Sequence, residues 1–272
     1  MSSLRLAKGS ATVGVFGGSG FYQWLDQVES VVVDTPYGAP SAPVAIGTLA
    51  GRRVAFMPRH GRYHEIPAPN VNYRANVWAM HELGVRRLLA PCAVGSLRPE
   101  LHPGDLVICD QFVDRTWGRA DTYYPGPEVV HISSADPYCA ELRPQAATVA
   151  AEQRLPHHPA GTIVVVQGPR FSTRAESRWF SRMGWDVVGM TQYPEVILAR
   201  ELQMCYLNLS LVTDYDAGLE ADPKLAAVQA HDVMRVLAEN ISTVRALLAA
   251  LIPRIPDEPS CTCQTALARA KL

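Results

Sequence analysis

The strongest constraint on the fold is the segment 205–218, CYLNLSLVTDYDAG, an apolar run that stops on two aspartates. Only an asparagine and a serine interrupt the apolar part, which is typical of a strand buried on both faces of an α/β sheet. Ligands bind to such sheets at the carboxyl ends of the strands. The pattern therefore predicts that Asp214 and Asp216 lie at a ligand site.

The spacing of these two carboxyl groups has two interpretations. Two carboxylates one residue apart cannot both ionise cheaply in a dry site, so one is expected to have a raised pKa. A raised pKa is the property that a general acid needs. An Asp-x-Asp after a strand is also typical of a turn in which both carboxylates accept hydrogen bonds from nearby backbone and face water. The residues alone leave both interpretations open.

The composition favours a globular α/β protein with a small-molecule ligand. The chain has 272 residues, of which 48% are hydrophobic and 19% charged, with a formal net charge of −1. We expect one domain over residues 1–272, with a core at about 12–252 and a C-terminal tail at 253–272. The charge balance provides no broad basic field for nucleic acid or anionic lipid. No signal-peptide core or apolar run of 18 residues occurs, so we expect a cytoplasmic protein without a membrane partner.

Alternating and 3.6-residue patterns predict the order of the elements. Apolar runs bounded by turn residues indicate strands, and apolar stripes with capping residues indicate helices. The strands are expected at 13–16, 44–49, 54–57, 87–94, 106–113, 162–167, 186–190 and 205–213; the helices at 70–84, 135–153, from 191 onward and through 233–251; and a long ordered loop at 114–131.

Two of the loops after predicted strands have the composition of anion sites. Residues 17–20, Gly-Gly-Ser-Gly, can bring backbone N–H groups against an anion, although the spacing matches neither common nucleotide loop, and a plain turn is equally compatible. Arg59 and His60 follow a strand directly and are suited to clamp an oxyanion, or else form a solvated basic loop. Thr191, at the start of a predicted helix, indicates a further anion site.

Phe171 and Ser172 lie just beyond the strand predicted at 162–167. An aromatic plane beside a hydroxyl group suits a heteroaromatic ring that needs stacking and one hydrogen bond. A capping-box pattern at 173–176 predicts that a helix begins immediately after this pair.

The six cysteines fall into two groups in the sequence. Cys92, Cys109, Cys139 and Cys205 lie in or beside apolar stretches and are interpreted as small core residues. Cys261 and Cys263 are two apart in the tail. Two free, exposed thiols are favoured there because the cytosol is reducing, and a strained disulfide is the alternative.

Taken together, the loops resemble one known family. The chain resembles the 5′-methylthioadenosine phosphorylases of the trimeric purine nucleoside phosphorylase family from about residue 14 to 252. The resemblance is carried by Gly17-Gly18-Ser19-Gly20, Arg59-His60-Gly61, Asn72-Tyr73-Arg74-Ala75-Asn76, Ala93-Val94-Gly95-Ser96-Leu97, Gln167-Gly168-Pro169-Arg170-Phe171, Met190-Thr191 with Pro194-Glu195, and Thr213-Asp214-Tyr215-Asp216.

The resemblance implies both a fold and a reaction. The fold is a single α/β domain with a central mixed, partly barrel-like sheet flanked by helices, in a homotrimer whose sites lie at subunit interfaces. The reaction is phosphorolysis, in which phosphate attacks C1′ of a purine nucleoside and releases the base and a sugar 1-phosphate. Phosphate is a co-substrate, and neither a metal nor an organic cofactor is implied.

The resemblance also assigns roles to individual residues. Asp214 is expected to protonate N7 of the base, and Asp216 to share recognition of the N7 and amino edge. The phosphate residues are expected to be Ser19, Arg59, His60, Cys92, Ala93 and Thr191. The nucleoside residues are expected to be Phe171, Ser172, Met190, Thr213, Asp214, Asp216, Ala230, Val233 and Met234, with His131 supplied by the neighbouring subunit.

Departures from the family pattern leave three alternatives. Cys92 stands where a phosphate-binding threonine is common, so one hydroxyl contact is missing there. By the resemblance, Ala230, Val233 and Met234 lie against the 5′ substituent, and these small or apolar residues suit methylthio better than hydroxyl. If the loop before them is shifted by one residue, His231 faces a 5′-hydroxyl group and adenosine is favoured instead. A 6-oxopurine nucleoside phosphorylase is the alternative within the family, and a nucleotide-binding regulatory protein without turnover is the alternative outside it.

Overall fold

A mixed β-sheet of eleven strands forms the centre of the fold. The structure is a computed structural model that describes residues 11–17, 26–217, 230–268 and 270–271. Helices pack on this sheet, so the predicted α/β class with a mixed sheet is confirmed. The strands are β1 (Val13–Gly17), β2 (Asp26–Val31), β3 (Val44–Leu49), β4 (Arg52–Pro58), β5 (Arg87–Ser96), β6 (Leu106–Val107), β7 (Gln111–Arg115), β8 (His157–His158), β9 (Thr162–Val166), β10 (Val187–Gly189) and β11 (Cys205–Tyr215).

The helices that the structure describes lie between these strands and after them. They are α1 (Tyr73–Glu82), α2 (Leu142–Glu152), α3 (Arg174–Arg182), α4 (Gln192–Glu201) and α5 (Ala230–Leu251). The Thr173 hydroxyl accepts from the backbone N–H of Glu176, and the Glu176 carboxylate accepts from the N–H of Thr173, so the predicted capping box is confirmed. None of the helices among these described residues is long and apolar enough to span a membrane.

Strand β5 is the branch point of the sheet. One edge of β5 pairs in parallel with β1 at Arg87–Leu89 and antiparallel with β10 at Gly95 and Ser96. The other edge pairs in parallel with β11 from end to end. The middle of β5 is therefore open on one side, between β1 and β10, and this opening is where a ligand can approach the sheet.

Strand β11 separates the two largest clusters of core side chains. Tyr206 and Val212 belong to the cluster that also contains Met80 of α1 and Leu198 of α4. Leu207, Leu209 and Leu211 belong to the cluster that also contains Leu142 of α2 and Leu248 of α5. Its first nine residues are buried, which confirms the prediction of a strand covered on both faces.

Two predicted boundaries are wrong. The single strand expected at 106–113 is two strands, because β6 pairs with β8 and β11 whereas β7 pairs with β9. Between them the Asp110 carboxylate accepts from the N–H of Gly161, which fixes the change of partner. The helix expected at 135–153 begins only at Leu142, because Pro137 disfavours helical geometry at the preceding residue.

The tail after α5 packs against the sheet. The backbone carbonyl groups of Ile255 and Pro256 accept hydrogen bonds from Arg52 of β4 and Arg87 of β5. The backbone also pairs at Val130 and Lys271. Long-range polar contacts of this kind have no periodic pattern in the sequence, so the sequence does not predict how the tail packs.

Candidate active site

A cavity of about 600 Å³ opens beside the middle of β5. Parts of β1, β5, β9, β10, β11 and α5, together with the segment after β4, form its wall, so segments distant in sequence converge there. The lining residues are Gly17, Arg59, His60, His64, Glu65, Pro67, Ala68, Pro91, Cys92, Ala93, Val94, Gly95, Val166, Pro169, Phe171, Ser172, Val188, Gly189, Met190, Thr191, Leu211, Thr213, Asp214, Asp216, Val233, Ile241 and Val244.

Asp214 and Asp216 both line this cavity, at the carboxyl end of β11. The register of β11 against β5 shifts between Val212 and Asp214. A bulge re-aims side chains, and here the two aspartates face the cavity. Gly95 of β5 lies beneath them: a Cβ atom there would be 3.0 Å from Cβ of Asp216 and 3.1 Å from Oδ2 of Asp214. A side chain at position 95 would displace the carboxyl groups.

The environment of these carboxyl groups disfavours their ionised forms. Burial raises the pKa of Asp214 to about 6, although its Oδ1 accepts a 2.7 Å hydrogen bond from the Thr213 hydroxyl, which acts in the opposite direction. Burial also raises the pKa of Asp216, which is 2% exposed. The alternative of an exposed turn is wrong, because a carboxyl group that faces water does not lose its hydration.

Two polar atoms in the cavity wall are buried without a partner. Oδ2 of Asp216 and Oγ of Ser172 have no hydrogen bond to any residue that the structure describes. Such groups cost roughly 1–3 kcal/mol each when they stay unsatisfied. One acceptor and one donor–acceptor in the same wall are therefore suited to the polar edge of a ligand.

Arg59 supplies a buried positive charge to another part of the wall. Its Nε and Nη2 donate to the two carboxylate oxygens of Glu195 at 2.7 and 2.9 Å, and Nη1 donates to the carbonyl oxygen of Pro91 at 3.3 Å. Glu195 is fully buried and also accepts from the Tyr206 hydroxyl at 2.6 Å. The guanidinium fork is thus occupied by Glu195, and two of its five N–H groups remain for an anion.

His60 lies beside Arg59 in a neutral state. Burial and the charge of Arg59 lower its pKa to about 4. Nδ1 is 2.9 Å from the carbonyl oxygen of Ile66, so the neutral ring carries its proton on Nδ1. A dianion in the cavity would raise this pKa, and the protonated ring then has a second N–H group to donate.

The other predicted phosphate residues that the structure describes also line the cavity. Ala93 belongs to β5, and Thr191 precedes α4 with a hydroxyl that makes no capping hydrogen bond. The Cys92 thiol is within 3.5 Å of Ser210, Asn208 and Gln192, and burial raises its pKa. Cys92 is therefore an uncharged wall residue.

The rest of the wall is mostly apolar. Phe171 lies in the loop after β9, Met190 follows β10 directly, and α5 contributes Val233, Ile241 and Val244. His231 is exposed, and it is not among the described residues that line the cavity. The register of α5 therefore presents apolar side chains to the cavity.

Four predicted site residues are not placed in the cavity. Ser19 lies outside the described residues, as do the side chains of Ala230 and Met234. His131 is described but does not line the cavity; its backbone N–H donates to the carbonyl group of Ala270 at 2.8 Å. The other residues predicted for phosphate or nucleoside, including both aspartates, do line it.

Glu195 is the site residue whose role sequence reasoning missed. It orients Arg59 across 136 positions of sequence, and no local pattern signals a pairing over that distance. A glutamate on the first turn of a helix is ordinarily interpreted as a favourable interaction with the helix dipole.

Comparison with known proteins gives one consistent result. The model of the phosphorylase superfamily matches residues 12–253. The chain is 54% identical to the S-methyl-5′-thioadenosine phosphorylase of Pyrococcus furiosus, covering 94% of this chain and 97% of that protein. It is 51% identical to the purine nucleoside phosphorylase of Streptomyces coelicolor, covering 96% and 95%. The crystal structure of a methylthioadenosine phosphorylase from an Antarctic soil metagenomic library is similar, with a TM-score of 0.90, 39% identity and coverage of 97% and 93%.

Proposed function

This chain belongs to the phosphorylase superfamily, and on that premise we propose that it cleaves 5′-methylthioadenosine with phosphate. The products are adenine and 5-methylthioribose 1-phosphate. The observation that carries the proposal is the pair of buried carboxyl groups, Asp214 and Asp216, in the wall of a cavity that also contains the buried cation Arg59. One part of the cavity is suited to a base and another to an anion.

The anion part is suited to hold the attacking phosphate. The charge of Arg59 and the hydroxyl of Thr191 favour a dianion, and a backbone N–H at Ala93 and the hydroxyl of Ser19 are proposed to complete the site. Holding phosphate against C1′ replaces a bimolecular encounter by an oriented one. Since Glu195 fixes the guanidinium from the opposite side, Arg59 is positioned before phosphate binds.

The base part is suited to assist departure of the purine. As the glycosidic bond breaks, the sugar becomes oxocarbenium-like, and negative charge develops on the imidazole ring of the base. A protonated Asp214 gives its proton to N7 and becomes a carboxylate, so the base leaves neutral. A pKa of about 6 for Asp214 lies near the working pH, as general acid catalysis requires.

Asp216 is proposed to recognise the amino group of adenine. Its Oδ2, which has no hydrogen bond to a residue that the structure describes, is an acceptor, and the 6-amino group is a donor. A 6-oxopurine such as inosine would place O6 against a carboxylate oxygen, acceptor against acceptor. Ser172, whose hydroxyl is also unpartnered among the described residues, supplies a further hydrogen bond to the base.

The apolar wall is proposed to hold the 5′-methylthio group. Val233, Ile241 and Val244 gain from contact with an apolar substituent and offer nothing to a hydroxyl group. The energy of one buried methyl or methylene group is about 0.8 kcal/mol. We therefore propose that methylthioadenosine is preferred and that adenosine is a poorer substrate.

The proposal extends to a homotrimer in which His131 of one subunit reaches the sugar of the next. It is supported by the family resemblance and by the position of His131, on a long loop away from its own cavity. The homotrimer requires a molar mass in solution of about three times the 29.7 kDa of one chain. A monomer mass measured by light scattering would contradict this part of the proposal.

Replacement of Asp216 tests base recognition. An amide nitrogen donates to O6, whereas the carboxylate repels it, so Asp216→Asn is expected to lower the methylthioadenosine-to-inosine ratio of kcat/KM by at least about tenfold. The ratio is measured from initial rates with each nucleoside at saturating phosphate. Asp257→Asn is the matched control, because the Asp257 side chain is 82% exposed. An unchanged ratio in a folded Asp216→Asn protein would contradict this role.

A further inference from the structure

Four cysteines converge at the end of β11 that is farther from the aspartates. The Sγ atoms of Cys139, Cys205, Cys261 and Cys263 all lie within 4.8 Å of one another. Cys205 is the first residue of β11 and Asp214 is nine residues further on, which places the cluster about 30 Å from the catalytic carboxyl group. The phosphorylase reaction therefore does not use these thiols.

The cluster confirms one prediction about the cysteines and corrects another. Cys139 and Cys205 are buried as predicted, but they contact the tail cysteines as well as apolar side chains. Cys261 and Cys263 are free thiols, yet Cys263 is only 7% exposed, so the expectation of two exposed thiols is wrong. Sequence reasoning could not find the cluster, because its members come from three separate segments.

The separations of the sulfur atoms are close to those of a metal centre with four sulfur ligands. Sγ of Cys261 is 3.3 Å from Sγ of Cys205 and 3.6 Å from Sγ of Cys139. A divalent metal with four sulfur ligands at about 2.3 Å requires sulfur–sulfur separations of about 3.8 Å. Small adjustments of the thiol rotamers would therefore give the separations that such a centre needs.

A buried positive charge lies beside the cluster. The guanidinium of Arg87 is 1% exposed and its Nη1 is 3.3 Å from Sγ of Cys205. Glu141 is ion-paired with Arg87 at 2.9 Å, which holds the guanidinium in place.

We propose that these four cysteines form a structural site for a soft divalent cation of the zinc type. Four thiols bind the ion as thiolates and release four protons, and the charge of Arg87 partly offsets the resulting double negative charge of the centre. All four positions of the tetrahedron are protein sulfur, so the site is closed and structural. This site departs from the expectation that the chain holds no metal.

A metal bound by these four cysteines would cross-link the C-terminal tail to β11 and to the segment before α2. Cys261 and Cys263 belong to the tail, Cys205 to β11 and Cys139 to the segment before α2. Hydrogen bonds also hold the tail beside the cluster. The carbonyl oxygen of Pro256 accepts from Arg87, and the backbone N–H of Ser260 donates to the Glu141 carboxylate. A metal bound to the folded chain and not to the unfolded chain adds stability by mass action.

Metal loading of the full chain tests the proposal. The protein is reduced, stripped of metal and titrated with Zn²⁺ or Co²⁺ without oxygen. We expect about one tightly held ion per chain, thiolate charge-transfer and tetrahedral d–d bands with Co²⁺, proton release on binding and a higher Tm. The double variant Cys261→Ser/Cys263→Ser is expected to lose at least about nine-tenths of the bound metal. Cys109→Ala, which removes a buried thiol outside the cluster, should keep it.

Three outcomes would overturn the site. One is a reduced, folded wild-type chain that retains no metal. Another is a double variant that binds as much metal as the wild type. The third is a thiol count, in denaturant with a chelator and before reduction, that falls below the six free thiols, because the clustered sulfurs would then be paired in disulfides. If the double variant does not fold, Cys261→Ser at the half-buried corner replaces it, and phosphorolysis of methylthioadenosine by the wild type verifies the fold independently of metal.

Discussion

Asp214→Asn lowers kcat for methylthioadenosine by at least about a hundredfold, because an amide cannot give a proton to N7 of the leaving base. The variant keeps the size and the polar shape of the side chain, so substrate binding is expected to change much less than kcat. Adenine release at saturating phosphate and nucleoside measures the loss. A folded Asp214→Asn protein with near-native turnover would show that this carboxyl group is not the acid.

The same variant has a signature in pH that a structural role would not give. The raised pKa of about 6 means that the protonated fraction of Asp214 falls as the pH rises above 6. Wild-type kcat/KM is therefore expected to decline on the alkaline side of about pH 6, and Asp214→Asn to lose that limb, measured at saturating phosphate. A limb that persists in the variant would belong to another group.

Asp214→Asn is expected to lower activity without lowering stability at alkaline pH. The pKa of Asp214 in the folded protein is above its ordinary value of 3.8, so the native state holds more protons than the unfolded state between about pH 4 and 6. The free energy of unfolding contributed by this group therefore decreases as pH rises through that window and stays low above it. Asp214→Asn should thus have a Tm at pH 8 no lower than that of the wild type.

Arg59→Ala is expected to raise the phosphate KM by about 10- to 150-fold, the equivalent of about 1.5–3 kcal/mol for a charge-assisted contact to a dianion. The nucleoside KM should change much less, because the carboxyl groups that hold the base are elsewhere in the wall. Initial rates over a grid of both substrates separate the two constants. Equal losses for phosphate and nucleoside would contradict the assignment of Arg59 to phosphate.

Controls are needed because Arg59 also neutralises Glu195. Removing one partner of a buried ion pair costs about 3–5 kcal/mol of stability, and the pair is 4% and 0% exposed. The variant Arg59→Met/Glu195→Gln removes both charges, so it should fold better than Arg59→Ala while keeping the phosphate defect. Arg53→Ala, whose ion pair with Glu29 is exposed, should change neither stability nor kinetics appreciably.

The sequence predicted most of the elements and most of the cavity residues, for a physical reason. A strand buried on both faces has a continuous apolar run, so β11 and the two aspartates at its end were identified from local pattern alone. Arg59, Thr191 and Phe171 were found in the same way, because each follows a strand. Residues that follow different strands lie close together when those strands end at the same edge of the sheet.

The structural features that the sequence did not predict are those that depend on contacts between distant segments. The pairing of Arg59 with Glu195 joins β4 to α4, and the cysteine cluster joins β11, the segment before α2 and the tail. The division of residues 106–113 between two strands follows from different partners, β8 and β9. A propensity pattern contains no information about partners.

The phosphate dependence of adenine release from methylthioadenosine tests most directly whether the reaction is phosphorolysis. Adenine is expected to appear only when phosphate is present. One molecule of 5-methylthioribose 1-phosphate, identified by its phosphorus NMR signal, is expected to form for each adenine released. Adenine release at the same rate without phosphate, giving free methylthioribose, would show hydrolysis and contradict the assignment of the Arg59 part of the cavity to a nucleophilic phosphate.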